Sequence, residues 1–148
     1  MTQKERNLLI QDLCGRFPYG VIAKKEYSFV FTNGTISKSK KIEKLDLEDI
    51  EYLISGDDCV DVLKPYLRSM NTMTEEERKE LKKLMNCDCV TDYSLEYTVG
   101  GQVDYDDFLV YYEDSYKLND WLNKNMFDHR GLIEKRLALE APEGMYND

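Results

Sequence analysis

An alternating run near the start of the chain constrains its fold more than any other feature. From Val21 onward, apolar side chains recur at every second position, which is the period of a β-strand with one buried face. Asn33 and Gly34 end this run, and the pair favours the positive φ angles of a two-residue type I′ turn. The residues that follow can return as a second strand. The sequence therefore predicts a β-hairpin over residues 21–42.

Helix signals precede the hairpin. Thr2 and Glu5 have the spacing of a capping box, in which a hydroxyl and a carboxylate each accept a hydrogen bond from an amide at the helix start. Leucines follow at helical spacing, and Gly15 is typical of the residue just past a helix end. We expect an N-terminal helix over about residues 3–14.

Further helices are predicted in the second half of the chain. Thr74 and Glu77 have the spacing of a second capping box, and the flanking charges suit the dipole of a helix over about residues 75–86. Another helix is predicted from Ser115. Together with the hairpin, these elements predict an α+β fold with a small antiparallel sheet, an N-terminal helix and two or more further helices.

Other stretches are harder to assign. Residues 42–55 fit a helix in part and a pair of short strands in part, and we expect strands. A short turn is expected after Asp61, and the C-terminal end is expected to fray after Pro142. The length of 148 residues suits one domain over 1–148, with residues 87–114 as a candidate acidic insert.

Charge is unevenly distributed along the chain. The 20 basic and 29 acidic residues give a formal net charge of −9, which disfavours a general nucleic-acid binder because such proteins neutralise phosphates with Lys and Arg. Residues 43–61 carry eight acidic residues and one lysine, and residues 87–114 carry eight acidic residues and no basic one. Residues 16–41 carry six basic residues and one glutamate. The basic charge is therefore concentrated around the predicted hairpin.

The acidic blocks predict an interaction surface. Tyrosines are interleaved with the carboxylates, and tyrosine is a frequent interface anchor because it combines apolar area with a hydroxyl. We expect a non-enzymatic interaction or regulatory protein that binds a basic protein partner, for example as a decoy for its nucleic-acid site. The predicted partner-binding residues are Tyr97, Asp104, Tyr105, Asp106, Asp107, Tyr111 and Tyr112. The alternative is that these charges only keep a small domain in solution, with the tyrosines partly in the core.

A second alternative concerns the hairpin. Its aromatic residues and lysines suggest a platform for single-stranded nucleic acid over residues 21–42. Alternation places most of these aromatics on one strand face, however, and we expect that face to be buried. The residues are Phe17, Tyr19, Tyr27, Phe29 and Phe31, beside Lys24, Lys25, Lys38, Lys40 and Lys41.

No sequence motif predicts an enzyme. The nucleotide-binding, hydrolase and zinc-protease signatures are absent, and Asp104, Asp106 and Asp107 lack the glycine and terminal glutamate of an EF-hand loop. His129 is the single histidine, with Asp128 beside it as the carboxylate that would hold a general base. A hydrolase that depends on carboxylates and a divalent cation stays open as an alternative function. No cofactor or metal site is predicted.

The protein is expected to be cytoplasmic. The sequence shows neither a secretory signal nor an apolar stretch as long as a membrane helix. Reduced thiols are therefore expected for the cysteines, which are Cys14, Cys59, Cys87 and Cys89.

Several motifs resemble a known group of proteins. Asp12 to Val21 reads DLCGRFPYGV and Lys64 to Met70 reads KPYLRSM, and the C-terminal region contains DWLN, FDHRGLI and LALEAPEGMY. In these motifs the chain resembles uncharacterised small proteins of gut Bacteroidales and their phages or mobile elements. The resemblance implies a bacterial or phage accessory protein. It implies no activity, cofactor or catalytic residue.

The resemblance also bears on individual residues. It implies that Trp121 and Phe127 are packing residues and that Arg130 and Gly131 form a turn that fixes the C-terminal tail. In the group a tyrosine often stands where this chain has His129, which argues against His129 as a general base.

Overall fold

The predicted α+β fold is confirmed by a computed structural model, which describes residues 1–56, 60–84 and 115–146. Two short 3-10 helices, Phe17–Tyr19 and Met70–Thr72, connect larger elements. The larger elements in chain order are α1 (Gln3–Arg16), β1 (Ile22–Val30), β2 (Ile36–Lys44), α2 (Leu47–Ser55), β3 (Val60–Leu67), α3 (Glu75–Leu84), α4 (Ser115–Lys124) and β4 (Leu139–Glu140). Among the described residues, no helix is both long and apolar enough to cross a bilayer.

The sheet has four strands in the order β2-β1-β3-β4. β1 pairs in antiparallel fashion with both β2 and β3, whereas β4 pairs in parallel with Tyr66 and Leu67 of β3. Proline has no backbone N–H to donate to a neighbouring strand. Pro65 is tolerated in β3 because the described pairing with β4 starts at the next residue, Tyr66. The hairpin is confirmed, and the sheet is mixed at its β4 edge.

The hairpin loop is longer than the expected two-residue turn. Phe31 N–H donates to Thr35 O at 2.9 Å, and Gly34 N–H donates to Phe31 O at 2.8 Å. Gly34 has a φ of 79°, whereas Asn33 is not among the residues with positive φ. This is the pattern of a three-residue loop with one left-handed residue at its end, so the expected type I′ turn is wrong.

Two hydrophobic clusters hold the described elements together. The larger one joins α1 and α2 to the sheet through residues such as Leu13, Ala23, Leu53 and Leu67. The smaller one joins α3 to α4 and the segment after it. In this cluster the rings of Trp121 and Phe127 stack with centroids 5.7 Å apart, which confirms both as packing residues.

The expectation of strands over 42–55 is wrong beyond the end of β2. Asp46 and Asp49 form a reciprocal capping box, in which each carboxylate accepts a hydrogen bond from the other residue's N–H at 2.9–3.0 Å. Gly56 ends the helix in the left-handed conformation, with a φ of 72°. Similarly, the expected turn after Asp61 is part of strand β3.

The end of helix α1 and the C-terminal segment differ from expectation. Helix α1 continues through Gly15 to Arg16, so Gly15 is an interior residue and not a stop. The C-terminal segment does not fray after Pro142, because the Tyr146 hydroxyl donates to Tyr66 O at 2.7 Å and accepts from Ile22 N–H at 3.1 Å.

Candidate interaction surface

The hairpin extends beyond the rest of the sheet. Among the described residues, β3 pairs with β1 from Ala23 to Tyr27, whereas β2 pairs with β1 as far as Val30 and Ile36. Residues 28–38 therefore form a two-stranded projection, which we name the hairpin arm.

The hairpin arm exposes apolar side chains on both faces. Phe29 and Phe31 are 46% and 54% exposed, and Val30 and Ile36 are 72% and 60% exposed. Strand alternation puts Phe29 on one face and the paired Val30 and Ile36 on the other. A single exposed apolar residue is ordinary, but adjacent ones form the kind of patch that marks binding sites.

The expected burial of the hairpin aromatics holds only near the core. Phe17 and Tyr19 pack against the larger cluster, and Tyr27 is half-buried. Phe29 and Phe31 lie past Tyr27, the last residue of β1 with a described partner in β3, and they are exposed. For these two residues the predicted burial is wrong. Alternation shows which side chains share a strand face, but it does not show how far along the strand other elements pack against that face.

β2 forms an edge of the sheet. β1 is its only described neighbour, and at the two ends of the pairing Phe31 N–H donates to Thr35 O and Leu45 N–H donates to Val21 O. In an antiparallel ladder, hydrogen-bonded pairs alternate with pairs whose backbone groups point outward. The pairs formed by odd-numbered residues are thus the hydrogen-bonded ones. The even-numbered residues of β2 direct their N–H and C=O groups towards the open edge.

The register places small side chains beside the aromatic rings. Tyr27 pairs with Ser39 and Phe29 pairs with Ser37, so these four side chains share one face of the hairpin. The two rings stack with centroids 6.2 Å apart. The serines are small, and on this face Phe29 is exposed while Tyr27 is half-buried.

Most of the lysines lie on the opposite face. Lys38, Lys40 and Lys44 occupy even-numbered positions of β2, whereas Lys41 is on the face of the aromatic rings. Glu43 is the single acidic residue of β2, so the strand carries a charge of +3 from its four lysines and one glutamate. The strand is therefore basic, with Lys40 3.6 Å from Glu26 of β1 and Lys41 3.8 Å from Glu43.

A buried lysine fixes the root of the hairpin to α2. The Lys25 side chain is 1% exposed, and its Nζ pairs with Asp49 and lies 3.5 Å from carboxylate oxygens of Asp46 and Glu43. The Tyr27 hydroxyl donates to Asp49 as well. Since Asp46 and Asp49 also cap α2, one set of carboxylates joins β1 to the start of that helix.

The charges of this root cluster are mutually stabilised. Burial opposes the charged form of Lys25, but the carboxylates of Asp49, Asp46 and Glu43 outweigh it and raise the pKa of the lysine. Burial, followed by the hydrogen bond to Asp49, raises the pKa of Tyr27 as well. The lysine therefore stays charged and the phenol stays neutral near neutral pH, and both contact Asp49 at the start of α2.

A second polar cluster lies where α1 meets the segment after α4. The buried Asp12 carboxylate accepts from Arg16 Nε at 2.7 Å, from Arg16 Nη2 at 2.9 Å and from Arg130 Nη1 at 3.0 Å. Arg16 Nη2 also donates to Phe127 O at 2.8 Å. This cluster joins distant parts of the chain, and its buried Arg16 Nη1 has no hydrogen-bond partner among the described residues.

His129 lies beside this cluster and is unsuited to act as a base. Burial, and then the positive charges of Arg16 and Arg130, lower its pKa to about 3. The Asp128 carboxylate accepts backbone N–H groups of the following turn, and the His129 ring lies 3.0 Å from Asn123 Oδ1 instead. The suggested pairing of His129 with Asp128 is therefore wrong.

The predicted partner-binding residues lie outside the described residues. This holds for Tyr97, Asp104, Tyr105, Asp106, Asp107, Tyr111 and Tyr112, and for the whole candidate insert over 87–114. In the described ranges, no group of three or more His, Cys, Asp and Glu side chains is arranged to hold a metal ion. Cys14 is an exposed free thiol, and the other three cysteines fall outside the described part.

No family model matches the chain, and neither a curated protein nor a solved structure matches it.

Proposed function

We propose that this protein is a non-enzymatic interaction protein that binds a macromolecular partner through the hairpin arm. The observation that carries this proposal is the group of exposed apolar side chains at residues 29–36. Covering such surface contributes about 25 cal/mol per Å² of apolar area, so a partner that covers the arm gains affinity from it.

The root of the arm supports the same function. The ion pair of buried Lys25 with Asp49, and the hydrogen bond of Tyr27 to Asp49, hold β1 against α2. An arm that is fixed at its root loses less conformational freedom on binding than a flexible loop does. More of the contact energy then appears as affinity.

We also propose the acidic, tyrosine-rich segment over 87–114 as a second contact surface, for a basic partner. Its support is the sequence: eight carboxylates, no basic residue and interleaved tyrosines. An accessory protein of a bacterial or phage mobile element is the biological context that the motif resemblance supports.

Two isoleucines of equal exposure give a matched test of the arm. Ile36 on the arm and Ile54 on α2 are each 60% exposed. The full chain and its Ile36→Ser and Ile54→Ser variants are immobilised, and the proteins that each captures from a bacterial lysate are quantified by mass spectrometry. Hydrogen exchange on the captured complex then shows whether the arm is protected.

We expect a partner whose recovery falls about tenfold with Ile36→Ser and is unchanged with Ile54→Ser, since one buried isoleucine contributes about 1.5–3 kcal/mol. Protection of residues 28–38 in the complex is also expected. Equal recovery by the two variants, with no protection of the arm, would show that the arm is not the binding surface.

A further inference from the structure

Edge strand β2 offers an open row of backbone groups on the proposed binding surface. The strand is nine residues long, and β1 alone pairs with it among the described strands. Its even-numbered residues direct N–H and C=O groups outward, as the hydrogen bonds at both ends of the hairpin require. Such an edge accepts an extended peptide as an additional strand.

The charge of β2 selects among peptides. Four lysines and one glutamate line the strand. A second copy that paired its own β2 here would bring lysines opposite lysines, which is unfavourable, whereas an acidic peptide would bring carboxylates opposite them. The overall charge of −9 opposes the binding of an acidic peptide only weakly at physiological salt, because charges beyond about 8 Å are screened.

The two faces of the edge differ in a way that suits a strand better than a nucleic acid. Phe29 and Tyr27 lie on one face beside Ser37 and Ser39. Three of the four lysines of β2 are on the other face, and Lys41 shares the face of the rings. A single strand of nucleic acid needs aromatic rings and basic groups along the same groove. An added β-strand, in contrast, projects successive side chains to opposite faces.

We propose that β2 binds an extended acidic segment of a partner protein by strand addition, with apolar side chains of the segment against Phe29 and acidic ones near Lys38 and Lys40. This inference rests on the proposed function, since it specifies how the partner of the hairpin arm is bound. The added strand would take its backbone hydrogen bonds from residues 36–44.

The test uses a labelled nine-residue peptide in which glutamate alternates with threonine, phenylalanine and valine. Binding to the full chain is measured by fluorescence anisotropy. Two further peptides serve as controls: one carries lysine in place of glutamate, and one has every second backbone amide methylated so that one edge cannot pair. An oligothymidine of matched length tests nucleic acid, and sedimentation tests self-association.

Two variants at one position separate backbone pairing from charge. Lys38→Gln removes the charge and keeps the outward N–H, whereas Lys38→Pro removes both. Because Lys38 belongs to a pair without hydrogen bonds to β1, proline there spares the ladder of the hairpin. Thermal unfolding of both variants verifies that the fold is retained.

We expect the acidic peptide to bind, Lys38→Gln to weaken it severalfold, and Lys38→Pro to weaken it at least about tenfold further. The lysine and methylated peptides should not bind. Strand addition would be overturned if the two variants bound the acidic peptide equally well, or if the methylated peptide bound as well as the acidic one. Binding of oligothymidine alone, or a dimer through β2, would overturn it too. In those cases a loss of partner capture with Ile36→Ser would still support the proposed function of the arm.

Discussion

Gly15 lies inside α1 at the point where this helix meets α4. A Cβ atom at this position would lie 2.8 Å from Asn123 Nδ2, and Asn123 is itself buried and in contact with His129. A glycine in a helix is usually unfavourable by about 1 kcal/mol relative to alanine. Here it permits the close approach of two helices.

We therefore predict that Gly15→Ala lowers the free energy of unfolding by about 1–3 kcal/mol, because the overpacking at Asn123 exceeds the gain in helix propensity. Urea unfolding measures the change. In the Asn123→Ala background, the same substitution should be neutral or stabilising. A Gly15→Ala protein that is more stable than the parent would show that the Asn123 side chain moves aside at little cost.

His129 links stability to pH. Its pKa is about 3 in the folded protein, against an ordinary value of 6.5, so the unfolded chain binds a proton that the folded one does not. The resulting stability is complete above pH 6.5 and is lost as the pH falls from there towards the folded pKa.

Between pH 7 and pH 5 the free energy of unfolding should therefore fall by about 2 kcal/mol on account of His129. Urea unfolding of the parent and of His129→Gln at both pH values isolates this contribution, because glutamine does not titrate. If the two proteins lose the same stability over this range, His129 is exposed to solvent in the folded state.

Lys25 shows where residue-level prediction fails. Alternation places it on the same side of β1 as Val21 and Ala23, yet a lysine does not suggest a core position. Its burial depends on Asp49, a residue 24 positions away whose helix was not predicted. Asp12 and Arg16 are four residues apart and could be expected to pair, but nothing in the sequence indicated that the pair is buried.

At the scale of elements, capping chemistry decided which predictions succeeded. The Thr–Glu boxes that open α1 and α3 were predicted and are present, with Thr2 and Glu5 exchanging both hydrogen bonds. The box that opens α2 uses aspartate in both positions, and the apolar spacing that follows it fits two kinds of structure. The helix was therefore missed.

Beyond its β4 pairing, the C-terminal segment is joined to the sheet through the Tyr146 hydroxyl. Tyr146 Oη donates to Tyr66 O and accepts from Ile22 N–H, so it joins the segment to both β3 and β1. Burial raises the pKa of this tyrosine, which keeps the phenol protonated. Without the hydroxyl, two backbone groups of the sheet lose a partner.

We predict that Tyr146→Phe lowers the free energy of unfolding by about 1–3 kcal/mol, because it leaves a partly buried carbonyl and amide unpaired. Tyr116→Phe is the control, since Tyr116 is 65% exposed, and it should change stability by less than about 0.5 kcal/mol. Chemical denaturation of both variants measures the difference. Equal, small effects would mean that water replaces the hydroxyl freely.

At the scale of the molecule, the fold class could be predicted from the sequence, whereas the candidate surface could be predicted only in part. Periodicity and capping predict the hairpin, most helices and the α+β class. Phe29 and Phe31 are exposed, and the last described pair of β1 with β3 is at Tyr27. That limit is set by long-range pairing between strands, which alternation within one strand does not encode.

The separation of charge along the chain makes a prediction for the two proposed surfaces together. Neutralising three carboxylates with Asp104→Asn, Asp106→Asn and Asp107→Asn changes the net charge from −9 to −6. At low salt the weaker repulsion should speed association of the acidic peptide with β2 by about two- to fivefold, whereas a basic partner of the 87–114 segment should bind more weakly.

Stopped-flow measurement of the association rate at about 20 mM and 500 mM salt checks this prediction, because the effect must vanish when charges are screened. The matched control neutralises Glu134, Glu140 and Glu143, which lie in the described C-terminal region and change the net charge equally. If both triple variants speed peptide association alike, only net charge matters. If the aspartate variant retains full, salt-sensitive affinity for a basic partner, the three aspartates do not form the contact surface for that partner.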